Sequence, residues 1–156
     1  MTNDLPRIAS FSIDHENLMP GLYISRHDGD VVTYDLRMKR PNREPVLSTG
    51  SCHAIEHIAA TFLRAHDADH KMIYFGPMGC RTGFYLLYRE GVEPWQIKQK
   101  LIDAFNYIVN FDSAIPGATS KECGNYLDMD LRQARKDAAA YVAVLESLSS
   151  DQWYKY

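Results

Sequence analysis

The chain has 156 residues, a formal net charge of -3 and a hydrophobic fraction of 46%. That length suits one domain, read here as spanning 1–156, with a real hydrophobic core. The charge balance argues against nucleic acid as a partner, and no run approaches the roughly 18 apolar residues of a membrane span.

The first ten residues lack the apolar centre of a secretory signal. Three cysteines, Cys52, Cys80 and Cys123, make an odd, small count. Together these features predict reduced thiols in a cytoplasmic protein.

Ile8 to Ile13 alternates apolar and polar residues and predicts a short strand. Leu22–Arg26 and Val31–Met38 flank His27-Asp28-Gly29-Asp30, and Asp-Gly between two such runs predicts a hairpin. Lys39 to Pro45 predicts a loop. Thr49 or Ser51 can cap a helix with the apolar stripe Ile55, Ile58, Ala59, Phe62 and Leu63, ending near His66. Met72–Phe75 and Thr82–Arg89 predict two strands around Gly76-Pro77-Met78-Gly79-Cys80.

Pro94 suits the first turn of a second helix, whose face is Ile97, Leu101, Ala104, Phe105, Ile108 and Val109. Asp112–Tyr126, with Pro116, Gly117 and Gly124, predicts a loop, and a third helix follows from Asp128 to Leu148. The strands come as hairpin neighbours and not in strict strand–helix alternation. The expected class is therefore α+β: an antiparallel sheet of about four or more strands packed against helices as a two-layer sandwich.

The run His53-Ala54-Ile55-Glu56-His57 carries most of the functional information. Helix positions i, i+3 and i+4 share a face, so His53, Glu56 and His57 project together. Two imidazoles one turn apart form a seat for a divalent metal, with a carboxylate beside it. A catalytic tetrahedral site needs a third protein ligand and keeps one position open.

Cys80 and Cys123 are the leading candidates for that ligand, with Cys52 and His70 poorer ones. Both leading cysteines lie beside glycine (Gly79-Cys80 and Cys123-Gly124), which lets backbone bring a sulfur close to a crowded centre. Spacing alone does not choose between them. Cys52 points about 100° away from His53 on the helix and reads as a small buried hydrophobe. His66 and His70 read as exposed residues near a helix end. Arg81 beside Cys80 favours its thiolate. Arg37, on a strand, is expected to pair with a surface carboxylate.

Taken together, these motifs resemble LuxS, the S-ribosylhomocysteine lyase family. The matching runs are Ser10-Phe11, Asp14-His15, Asp35-Leu36-Arg37, Pro41-Asn42 and His53 to His57. They continue with Gly76 to Tyr85, Ile115-Pro116-Gly117-Ala118 and Cys123-Gly124-Asn125-Tyr126. Pro77 to Tyr85 is the specific stretch; the five-residue metal motif alone is not.

The resemblance implies that His53, His57 and Cys123 hold one divalent metal per subunit, natively iron(II), with zinc or cobalt as substitutes. It implies Cys80 and Glu56 as the acid/base pair, and Ser10, His15 and Arg37 as substrate-binding residues. It also implies a homodimer whose active sites lie at the interface. Cys52, Ala54 and Arg40 depart from the family's more frequent residues, and Cys52 adds an oxidisable thiol beside His53.

The implied reaction splits S-ribosylhomocysteine into homocysteine and 4,5-dihydroxy-2,3-pentanedione, the precursor of autoinducer-2. A thioether leaves by β-elimination only after a carbonyl has been moved along the sugar. Two aldose–ketose shifts do this, and they need a Lewis acid on the oxygens and bases for the carbon-bound protons. The alternative reading is a zinc metallopeptidase of the inverted His-x-x-Glu-His type. A third is a structural metal domain closed by four protein ligands.

Overall fold

The computed structural model describes residues 4–149 and 151–156. Two hairpins build the sheet. β1 (Gly21–Asp28) and β2 (Val31–Arg37) are joined across Gly29 and Asp30, and Gly29 takes the left-handed φ of 60° that the tight turn requires. β3 (Met72–Pro77) and β4 (Gly83–Arg89) form the second hairpin. All neighbours are antiparallel, in the order β1-β2-β4-β3.

Three helices complete the chain: α1 (Thr49–Ala65), α2 (Pro94–Val109) and α3 (Leu131–Ser147). The period-2 alternation of the strands turns Leu22, Tyr34, Leu36, Phe84 and Leu86 into the core. Ile55, Ile58 and Ala59 of α1, Leu101 and Phe105 of α2, and Ala138 and Leu145 of α3 fill it from the helical side. The α+β class, the four-stranded antiparallel sheet and the helical layer follow the sequence expectation. No helix among the described residues is long and apolar enough to cross a membrane.

Three local expectations are corrected. Ile8–Ile13 is not a strand; Ala9–Ser12 forms a 3-10 turn closed by Phe11 N–H donating to the Ile8 carbonyl at 3.0 Å. An alternating run becomes a strand only where a ladder partner is free. Neither edge of the four-stranded sheet pairs with this segment, and at β1 the Ile24 N–H donates instead to the Tyr154 carbonyl at 2.7 Å.

The cap of α1 is Ser48, whose hydroxyl accepts from Ser51 N–H at 3.1 Å, and not Thr49 or Ser51. The third helix begins after Asp130, whose carboxylate caps it by accepting from Gln133 N–H; Tyr126–Asp128 is a separate 3-10 turn.

Candidate functional site

The site is assembled from α1 and the segment between α2 and α3. His53 and His57 lie one turn apart on α1, with ring centroids 4.8 Å apart. Cys123 comes to them from a turn in which its N–H donates to the Thr119 carbonyl at 3.0 Å. The ligand atoms of His53, His57 and Cys123 all lie within 4.8 Å of one another, a possible metal site.

The Cys123 Sγ to His53 Nε2 separation is 3.4 Å. Bonds of about 2.3 Å to sulfur and 2.05 Å to nitrogen at a tetrahedral angle put two ligand atoms roughly 3.6 Å apart, so the pair is spaced for one shared ion. Two imidazoles and a thiol also suit a borderline-soft divalent cation. The structure thus selects Cys123 over Cys80 as the third member. Among the described residues, no fourth histidine, cysteine or carboxylate joins the group.

Neighbouring groups fix how each ligand is presented. His57 Nδ1 donates to the Pro116 carbonyl at 2.7 Å, because a carbonyl only accepts; this leaves the Nε2 lone pair free for a metal. Gly117 makes the approach possible. Its φ is +71°, and a Cβ there would lie 3.2 Å from His57 Nδ1.

His53 carries Asp128 on its other nitrogen, with Nδ1 3.7 Å from Oδ2. Asp128 is held there by close backbone packing at Gly50, where a Cβ would meet the Asp128 carbonyl at 2.5 Å. The Thr49 hydroxyl also donates to Asp128 at 3.3 Å, and Asn125 N–H points at Cys123 Sγ at 3.5 Å.

Glu56 shares the α1 face and lines an open cleft of about 300 Å³ with His57, Phe75, Pro116 and Gly117. Cys80 sits in the β3–β4 connection and is exposed. That connection is pinned by Met78 N–H to Gly83 O and Arg81 N–H to Met78 O, both at 2.9 Å. Arg81 adopts a φ of 57°, and its guanidinium donates to the Leu47 carbonyl at 3.0 Å.

The group that reaches Cys80 from the sheet is Thr82, whose Oγ1 is 3.1 Å from Sγ. Arg37 donates to the same Thr82 oxygen at 2.8 Å and to Asp35 through Nε at 3.1 Å. The Arg37–Asp35 pair is 1% and 0% exposed, so the expected surface pairing is in fact a buried one. Burial works against the Arg37 charge, but the Asp35 carboxylate, with smaller help from Cys80 and Tyr156, outweighs it and raises the guanidinium pKa.

Ser10 and His15 lie in the segment ahead of β1, where His15 Nδ1 is bonded to the Ile13 carbonyl at 2.9 Å. Among the described residues, neither makes a hydrogen bond to the histidine–cysteine group or to Cys80.

Gly79 and Gly124 open no close approach at the centre: a Cβ at either position meets nothing within 4 Å. The glycine the site depends on is Gly117. Cys52 is 4% exposed and burial pushes its thiol up to about 11, so it is a packed side chain and not an oxidation-prone one. His66 and His70 are exposed, as expected. Asp35, Thr82, Pro116, Gly117 and Asp128 were not singled out from the sequence for these roles. Asp35, Thr82, Pro116 and Gly117 fall within the runs that carry the family resemblance, a signal that could have flagged them; Asp128 lies outside every such run.

The profile of the S-Ribosylhomocysteinase (LuxS) family matches residues 8–152. The chain belongs to the LuxS family. Its relatives include proteins named S-ribosylhomocysteine lyase. The one from Clostridium beijerinckii is 52% identical over 136 residues, covering 84% of this chain and 86% of that one. The one from Clostridium acetobutylicum is 46% identical over 153 residues, covering 95% and 97%. A third, from Desulfotalea psychrophila, is 47% identical over 152 residues, covering 93% and 95%. Within the LuxS frame, the convergent histidines and Cys123 are a possible metal site consistent with the family, and the metallopeptidase alternative falls away.

Proposed function

We propose that this LuxS chain is an S-ribosylhomocysteine lyase producing homocysteine and 4,5-dihydroxy-2,3-pentanedione. The observation that carries the reading is the family match across residues 8–152, joined to three convergent ligand atoms from His53, His57 and Cys123. A divalent cation seated there, iron(II) natively and zinc or cobalt in substitution, supplies Lewis-acid polarisation of the sugar oxygens. His57 and His53 are oriented for it by Pro116 and Asp128.

Cys80 removes and returns protons on carbon during the two isomerisations. Its exposure leaves the sulfur accessible to substrate. Glu56, on the ligand face of α1 and at the wall of the cleft, moves protons between oxygens and assists the elimination. In that last step Glu56 accepts a proton from the carbon next to the carbonyl. The carbon–sulfur bond then breaks with its electron pair on sulfur, and homocysteine departs.

Ser10, His15 and Arg37 are the proposed substrate contacts. Membership of the LuxS family supports a homodimer in which that segment completes the neighbouring subunit's site. Three free thiols fit a reducing, cytoplasmic setting.

The test is an anaerobic assay with S-ribosylhomocysteine, following homocysteine as new thiol and metal content in parallel. Cys80→Ala is expected to abolish turnover with metal retained, and Cys123→Ala to lose the metal. A Cys123→Ala protein with full metal and full activity would overturn the ligand assignment. Loss of metal from Cys80→Ala would reassign Cys80 as a ligand.

A further inference from the structure

A polar chain runs through the sheet toward Cys80, and chemistry fixes its direction as far as Thr82. Asp35 can only accept when ionised, and Arg37 can only donate. Tyr156 donates to Asp35 at 2.7 Å, Arg37 donates to Asp35, and Arg37 Nη1 donates to Thr82 Oγ1 at 2.8 Å. One Thr82 lone pair is therefore committed to the guanidinium, while the hydroxyl proton remains available to donate. The sulfur of Cys80 stands 3.1 Å away.

We propose that Thr82 is a positioning residue that donates its hydroxyl proton to the Cys80 sulfur and so holds it as the thiolate. The inference rests on the reading of Cys80 as the proton-transfer group. A thiolate accepts a hydrogen bond that a thiol accepts only weakly, so a fixed donor favours the ionised form. Thr82 is 4% exposed, so its hydroxyl is held between Arg37 and Cys80 and is not turned to solvent.

The charged and titratable groups facing this sulfur are consistent with the role. Arg37 on β2 senses the Cys80 charge through space, as does Tyr85 on β4. Arg81, next in sequence, has its guanidinium turned to the Leu47 carbonyl. The donor in contact with the sulfur is thus the threonine hydroxyl, polarised from behind by arginine.

The experiment uses the full-length, metal-loaded protein with Thr82→Val, Thr82→Ala and Thr82→Ser. Iodoacetamide labelling of Cys80 is followed by peptide mass spectrometry from pH 5 to 10. Val and Ala remove the hydroxyl and should move the labelling midpoint up by about one pH unit, a tenfold change in proton affinity. Ser keeps the hydroxyl and should restore the midpoint. The acid limb of kcat/KM should move by the same amount in Val and Ala and return in Ser.

Two further outcomes overturn the proposal: a Val or Ala midpoint within about 0.2 unit of the parent, or a Ser variant shifted as far as Val. Ala adds no bulk, so it reads the same quantity if Val distorts the turn. Cys80→Ala run alongside separates the two levels: if it keeps turnover, the proton-transfer reading fails while the labelling result still reports on Thr82.

Discussion

Replacing Gly117 with alanine should weaken the metal centre without touching a ligand. Gly117 has a φ of +71°, and its new Cβ would stand 3.2 Å from His57 Nδ1. A left-handed alanine costs about 1–2 kcal/mol in backbone strain. For a chain of this size that lowers the melting temperature by roughly 2–8 °C.

The contact also pushes on the imidazole whose Nδ1–H is held by the Pro116 carbonyl at 2.7 Å. Loss of such an orienting partner typically costs about 10–100-fold in metal affinity. A competition titration of the apo protein against a chromophoric chelator measures this directly, with zinc as the probe. Gly124→Ala is the control. It neighbours Cys123, yet its Cβ meets nothing within 4 Å, and a change within about 0.5 kcal/mol is expected. If Gly117→Ala binds zinc within twofold of the parent, or if the two glycines behave alike, the orienting role assigned to the Pro116–Gly117 turn is wrong.

Two further outcomes follow from burial and close packing. Burial pushes the Cys52 thiol up to about 11 and the Tyr34 phenol up to about 12, and raises Tyr88, Tyr141 and Tyr156 as well. The unfolded chain loses these protons near pH 8.5 for a thiol and about pH 10 for a phenol. It therefore holds fewer protons than the folded chain above those values, and stability falls as pH rises. Urea midpoints should agree at pH 7 and 8 and be lower at pH 10.5; a midpoint that rises or stays level contradicts the assignment.

Gly83→Ala should abolish cooperative folding, because its Cβ would lie 1.9 Å from the Leu36 carbonyl in the β2–β4 ladder. Circular dichroism melts check this, and a melting temperature within a few degrees of the parent would show that the ladder can yield.

The helical parts of this fold were readable because each carries a long periodic stripe. Ile55, Ile58 and Ala59 in α1, and Ile97, Leu101 and Phe105 in α2, are all fully buried. The hairpin turn at Gly29 was readable for a local reason, its φ of 60°. Ile8–Ile13 misled because strand formation depends on a free ladder position, which local alternation does not encode.

At the site, His53, Glu56 and His57 were legible from helix spacing. The choice between Cys80 and Cys123 was not, since 70 residues separate Cys123 from His53 and only tertiary packing at Gly50 and Asp128 brings the segments together. Arg37 looked like an ordinary strand arginine. Its burial follows from Asp35 two residues earlier on the same sheet face, a pair whose worth depends on what covers it.

The Tyr154 carbonyl on Ile24 N–H, with the Tyr156 ring stacked on Tyr23 at 4.9 Å, covers part of the edge strand β1. Bare strand borders recruit other chains and seed aggregation. Residues 154–156 thus cover part of that border, and a chain ended before Gln152 should self-associate more readily than the parent in light scattering.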